Sequence, residues 1–132
     1  MRSEVQSFPK LFLDRLRKIV PPHKFDVIAN TFAAPKPSTF RANSLKASRG
    51  AVRKQLEAEG FRLAEVSWYP DAFVLRAGRL RELEKTEVYR NGKIYVQGLS
   101  SMIPPLVLDP KPGECVLDLT AAPGSKTTQM AC

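Results

Sequence analysis

Phe8, Phe12, Leu16 and Ile19 recur at helical spacing near the start of the chain, with Leu13 and Val20 widening the stripe. Side chains three and four apart share a helix face, so residues 8–20 read as an amphipathic helix. Arg15, Arg17 and Lys18 gather near its end, where the helix dipole favours cations, and Pro21-Pro22 stops it. A second helix over 23–33 puts Phe25, Ile28 and Phe32 on one face. After the extended connector Pro35-Lys36-Pro37 the pattern alternates instead. Thr39–Leu45 reads as a strand, with Phe40 and Ala42 on one face and Arg41 and Asn43 on the other.

Ser48 suits the N-cap of a helix running through Glu59, and Gly60 suits its stop. Strand patterns follow at Phe61–Val66 and Ala72–Leu75, and residues 80–87 suggest a short helix. Val88-Tyr89-Arg90, Asn91-Gly92 and Lys93-Ile94-Tyr95-Val96 together predict a hairpin, since both turn positions need positive φ. Helices and strands are thus mixed, which favours an α+β sandwich over a bundle.

Leu99–Leu108 is a mostly apolar stretch carrying Pro104-Pro105, and Asp109–Gly113 is a turn cluster. Cys115–Leu119 is a short apolar run that ends in a loop, the pattern of a buried parallel strand. Within it Cys115 reads as a small buried residue. Thr120–Ser125 is the loop, and a helix begins near Lys126. Strand, loop and helix start make the first half of a βαβ unit, so the chain reads as the front of a longer α/β domain.

Charge divides the chain in the same place. Residues 1–97 hold 19 basic and 10 acidic groups, a net +9, whereas residues 98–132 hold 2 and 3, a net −1. Such a segment either meets a polyanion or presents a solvated basic surface. Phe40, Trp68, Tyr69 and Phe73 are aromatics that either stack on unpaired bases or fill a core. No run approaches the roughly 18 apolar residues that cross a bilayer, which excludes a membrane protein. Two cysteines make no disulfide framework and point to a reducing compartment, the cytoplasm. His23 reads as a surface or helix-end residue.

The chemistry concentrates in Asp118–Thr127. Ala121, Ala122 and Gly124 would let a ligand approach the backbone, and free N–H groups at a helix start can hold a carboxylate. Taken alone, such a loop is either a ligand seat or a tight turn that binds nothing. Gly124-Ser125-Lys126-Thr127 is not a phosphate-binding P-loop: Ser125 stands where that motif needs glycine, and so does Thr120 five positions earlier. With Gly124 its only glycine, the loop also lacks the G-x-G-x-x-G pattern.

Asp118-Leu119-Thr120-Ala121-Ala122-Pro123-Gly124-Ser125-Lys126-Thr127-Thr128-Gln129 closely resembles the cofactor loop of the Nop/Sun family of S-adenosylmethionine-dependent RNA cytosine-5 methyltransferases. Tyr95-Val96-Gln97, Ser100-Ser101-Met102-Ile103-Pro104, Pro112-Gly113-Glu114 and Arg41-Ala42-Asn43-Ser44-Leu45-Lys46 are similar to further elements of that family. The resemblance implies that Thr120, Ala121, Ala122, Pro123, Gly124, Ser125 and Lys126 contact S-adenosylmethionine, with Lys126 beside its carboxylate. Position 120, often Cys in the family, is Thr here.

The resemblance also implies a basic α+β RNA-binding domain over 1–97 and, over 98–132, the incomplete start of a Rossmann-like α/β methyltransferase domain. Its RNA would be ribosomal or transfer RNA, with no metal. Family members activate cytosine with one cysteine and release it with a second, one of the two lying after Pro and the other after Thr. Cys115 follows Glu114 and Cys132 follows Ala131, so neither matches, and the 132 residues alone are expected to be inactive. Two other readings remain: a free-standing RNA-binding module with a remnant cofactor loop, and a related methyltransferase with another substrate.

Overall fold

The change of period at Pro35–Pro37 is also where the chain divides. The computed structural model, which describes residues 8–132, separates a unit ending at Lys36 from one beginning at Pro37. Helices α1 (Lys10–Ile19) and α2 (Phe25–Ala33) form the first unit, with a 3-10 turn over Pro22–Lys24. Leu16 and Ala29 are buried, and Phe12 meets Phe32 edge to face at 5.3 Å between ring centres. The Arg17 guanidinium lies 4.6 Å from the centre of the Phe25 ring. Ile19, counted in the apolar stripe, is instead 79% exposed, as the last residue of its helix.

The second unit is built on an antiparallel sheet of order β2-β3-β1-β4, made from Thr39–Ala42 (β1), Arg62–Glu65 (β2), Ala72–Ala77 (β3) and Ile94–Val96 (β4). Alternation along β1 and β3 sends Phe40, Ala42, Phe73 and Leu75 to one face. There they meet Val52 and Leu56 of α3 (Arg49–Ala58), Leu83 of α4 (Leu80–Leu83) and Val88 of α5 (Glu87–Arg90). The Ser48 hydroxyl caps α3 by accepting from the Ala51 N–H, and Gly60 beyond its end takes φ +89°, as the sequence suggests. Ala72 and Val74 face the other side, with Val66, Tyr69 and Met102 of α6 (Leu99–Leu108).

Local expectations are corrected at the hairpin and at Cys115–Leu119. The hairpin over 88–96 does not form: Val88–Arg90 belongs to α5, and β4 pairs with β1 through Phe40–Val96, Arg41–Tyr95 and Ala42–Ile94. The Thr86 hydroxyl accepts from the Tyr89 N–H and starts a helical turn that buries Val88 completely. Asn91 keeps φ −82° and only Gly92 is positive at +65°, so Asn-Gly ends a helix here instead of making a two-residue strand turn.

The stretch around Pro104-Pro105 is helical. Pro105 has no N–H to offer the Ser101 carbonyl, which accepts instead from Gln97 Nε2 at 3.1 Å. Asp109 closes the helix in the left-handed region at φ 46°.

Cys115–Leu119 is not a strand. It pairs with none of the four strands, and Val116, Leu117 and Leu119 are 41%, 80% and 86% exposed. A parallel strand needs a parallel neighbour, and every pairing among the described residues is antiparallel. Cys115 is accordingly exposed, not buried.

Candidate functional site: a tethered loop

Between the unpaired run and the short helix α7 (Ser125–Met130) lies the loop singled out by its sequence. Thr120, Ala121, Ala122 and Pro123 are exposed, Gly124 and Ser125 half-buried and Lys126 exposed. The Ala122–Pro123 peptide is cis. Lys126, Asp118 and Leu119 also line an open groove of about 240 Å³ whose other walls include Pro105, Leu108 and Met130.

Polar tethers hold this loop. The Asp118 carboxylate accepts from the Thr120 N–H at 3.1 Å and from the Thr127 hydroxyl at 2.6 Å, closing the loop on its own helix. Those two bonds, the Thr127 hydroxyl foremost, hold the Asp118 carboxyl below its ordinary value, and the charge of Lys126 adds to them. The Tyr95 hydroxyl donates to the Pro123 carbonyl at 3.2 Å. Gly124 takes φ +97°, and its carbonyl accepts from the Thr128 hydroxyl at 2.6 Å. A Cβ at Gly124 would meet only Thr128 Cγ2, at 3.9 Å, so the backbone angle and not space calls for glycine.

Behind the loop stands Arg41, 1% exposed. Its Nε donates to Gln97 Oε1 at 3.0 Å and its Nη2 to the Thr128 hydroxyl oxygen at 2.9 Å, with the Ser125 carbonyl at 3.5 Å. Its Nη1 lies 3.5 Å from Cys132 Sγ, and its guanidinium carbon 5.3 Å from the centre of the Tyr95 ring. No carboxylate stands within ion-pair reach of Arg41 among the described residues. Gln97 Nε2 also donates to Gln129 Oε1 at 2.9 Å, and Gln129 Nε2 to the Met102 carbonyl at 2.9 Å. This buried chain links β1, the end of β4, α6 and α7. Nearby, burial pushes the Tyr69 phenol up, against the opposing pull of Arg41, so it stays neutral at physiological pH.

The side chains that hold this loop were not singled out by its sequence. The sequence placed Arg41 on a strand face and Tyr95 in a hairpin, and gave both, with Gln97, as parts of fragments similar to a family pattern. An arginine alternating with core residues in a strand is the signal that could have marked Arg41 as buried. Of the four aromatics considered for stacking, Phe40, Phe73 and Tyr69 are core and Trp68 is 47% exposed. His23 is exposed in its 3-10 turn, and Cys132 is exposed with its thiol 3.1 Å from the Thr128 carbonyl.

Comparison with known proteins places this geometry in context. A family model described as the N-terminal domain of 16S rRNA methyltransferase RsmF matches residues 8–99. The tRNA (cytosine(49)-C(5))-methyltransferase of Pyrococcus abyssi is 38% identical over 98% of the chain, which spans 40% of that protein. Ribosomal RNA small subunit methyltransferase F of Vibrio campbellii is 37% identical over 93% of the chain, which spans 27% of it. Among solved structures, a methyltransferase homolog protein from Pyrococcus horikoshii superposes with a TM-score of 0.80 at 37% identity, covering 99% of this chain and 44% of that one.

Proposed function

The chain belongs to the Nop/Sun family, in the part described as the RsmF N-terminal domain, and from that membership we propose that it is the front portion of an RNA cytosine-5 methyltransferase. Residues 1–97 grip ribosomal or transfer RNA in the cytoplasm, and residues 98–132 open the catalytic domain. The observation that carries this reading is the breadth of the similarity: relatives named for RNA methylation align along nearly the whole chain.

The residues present fit S-adenosylmethionine. Ala121, Ala122 and Gly124 offer no side chain larger than a methyl group, and Ala121 and Ala122 are exposed, which leaves that part of the loop open to a ligand. Thr120–Ser125 hold the methionine part through the backbone, and the exposed Lys126 ammonium sets a positive charge near its carboxylate. S-adenosylmethionine supplies an electrophilic methyl group on a sulfonium.

Neither cysteine suits the task of activating cytosine. Cys115 sits in the unpaired run outside the loop, and the Cys132 thiol faces the Thr128 carbonyl and Asn43 Oδ1. The 132 residues alone therefore transfer no methyl group. The test incubates the full-length protein with labelled S-adenosylmethionine and cytosine-bearing ribosomal or transfer RNA, then digests the RNA and identifies the labelled nucleoside. Label in 5-methylcytidine is expected, whereas RNA that is bound but unlabelled would leave a binding module. Label transferred by residues 1–132 alone would contradict the assignment of catalysis to other residues.

A further inference from the structure

We propose that Arg41 and Tyr95, a cross-strand pair on the sheet, are positioning residues that set the loop Thr120–Lys126 for the methyl donor. The inference rests on the reading of that loop given above. The two residues face each other in the β1–β4 register, so their side chains leave the same face of the sheet. From there they reach adjacent peptides of the loop. The Tyr95 hydroxyl holds the Pro123 carbonyl directly. Arg41 acts through one intermediary: Nη2 donates to the Thr128 hydroxyl oxygen, which in turn donates its own proton to the Gly124 carbonyl.

The pair therefore fixes the directions of the two carbonyls that flank Gly124, the residue where the backbone turns left-handed to enter α7. Packing does little of this, because Thr120–Pro123 are exposed and Ala121, Ala122 and Gly124 are small. Arg41 is itself held by Gln97 Oε1 and by the face of the Tyr95 ring, which keeps its remaining donors aimed at α7. Arg41 lies in the region otherwise read as gripping RNA, yet at 1% exposure it offers RNA no surface.

The test uses the full-length protein and two variants that remove one hydroxyl each, Thr128→Val and Tyr95→Phe. Thr128 is exposed, so its substitution leaves the core packing intact. Calorimetry with S-adenosylmethionine reads both the dissociation constant and the fraction of competent molecules. Each variant is expected to bind the donor about fivefold more weakly, the equivalent of one hydrogen bond, at full stoichiometry. Thr128→Ser should restore the wild-type constant, and RNA affinity measured without donor should stay at the wild-type value in all three. Unchanged donor affinity in both Thr128→Val and Tyr95→Phe, with or without a loss of stoichiometry, would overturn the positioning role while leaving the loop reading intact. A wild-type protein that takes up no donor would overturn both.

Discussion

The sheet core and the loop Thr120–Gly124 belong to one compact unit, yet they are held by different physics. In the core, Phe40 and Phe73 stack at 5.4 Å between ring centres and are fully buried with Leu56, Leu83 and Val88. The loop contributes no buried residue, and the run before it exposes Val116, Leu117 and Leu119. Its shape comes from hydrogen bonds to a few side chains: Asp118, Thr127, Tyr95 and the Arg41–Thr128 pair. Hydrophobic burial is non-directional and sums over many atoms, whereas a hydrogen bond specifies one atom's position. A segment that stays exposed gains no shape from burial, so directional tethers are the means left to shape it.

This contrast can be broken from the core side first. Phe73→Ala should cost about 3–5 kcal/mol in urea unfolding, as full truncation of a buried aromatic does. Leu117→Ser, at a position 80% exposed, should stay within about 0.5 kcal/mol. Equal losses would mean that the run before the loop is packed after all. Arg41→Met comes next: it leaves Gln97 Oε1 without its buried donor and should cost about 1–3 kcal/mol of stability by the same measurement. No loss would mean that the guanidinium is not a buried hub.

Gly124→Ala sharpens the comparison on the loop side. The φ of +97° strains any residue with a Cβ, at about 1–2 kcal/mol, although space is available. The penalty should appear as weaker donor binding by the full-length protein, with urea unfolding of the sheet little changed. Asp118 gives the smallest effect. Its carboxyl is held below the ordinary value, so its contribution is fully present above that value and is lost only as pH falls through the lower folded one. Amide exchange at Thr120, corrected for its intrinsic rate, should therefore be flat between about pH 5 and 8 and rise only in stronger acid. A rise near neutrality would show that the carboxylate does not hold the loop.

Legibility in the sequence follows the same division. Local signals read true where local chemistry decides the outcome: Ser48 caps α3, Gly60 lies beyond its end, and Pro21-Pro22 follows α1. The alternation of Phe40, Arg41 and Ala42 marked β1. Reading failed where a distant partner decides. Asn91-Gly92 has the letters of a hairpin turn, but the burial of Val88 and the Thr86 cap make the residues before it helical. The apolar stretch around Pro104-Pro105 carried no element in the sequence, and Gln97 supplies the donor that its helical ladder lacks. Cys115–Leu119 has the composition of a buried strand and no strand to pair with among the described residues. The loop letters were legible because they repeat a family signature. Arg41, 87 positions from Thr128, was not, since nothing in one sequence tells which strand residue a distant helix will meet.

The most direct measurement is the structure of the full-length protein crystallised with S-adenosylmethionine. Density for the donor's methionine part against the backbone of Thr120–Ser125, with its carboxylate beside Lys126, is the predicted result. Donor density elsewhere, with this loop bare, would contradict the assignment.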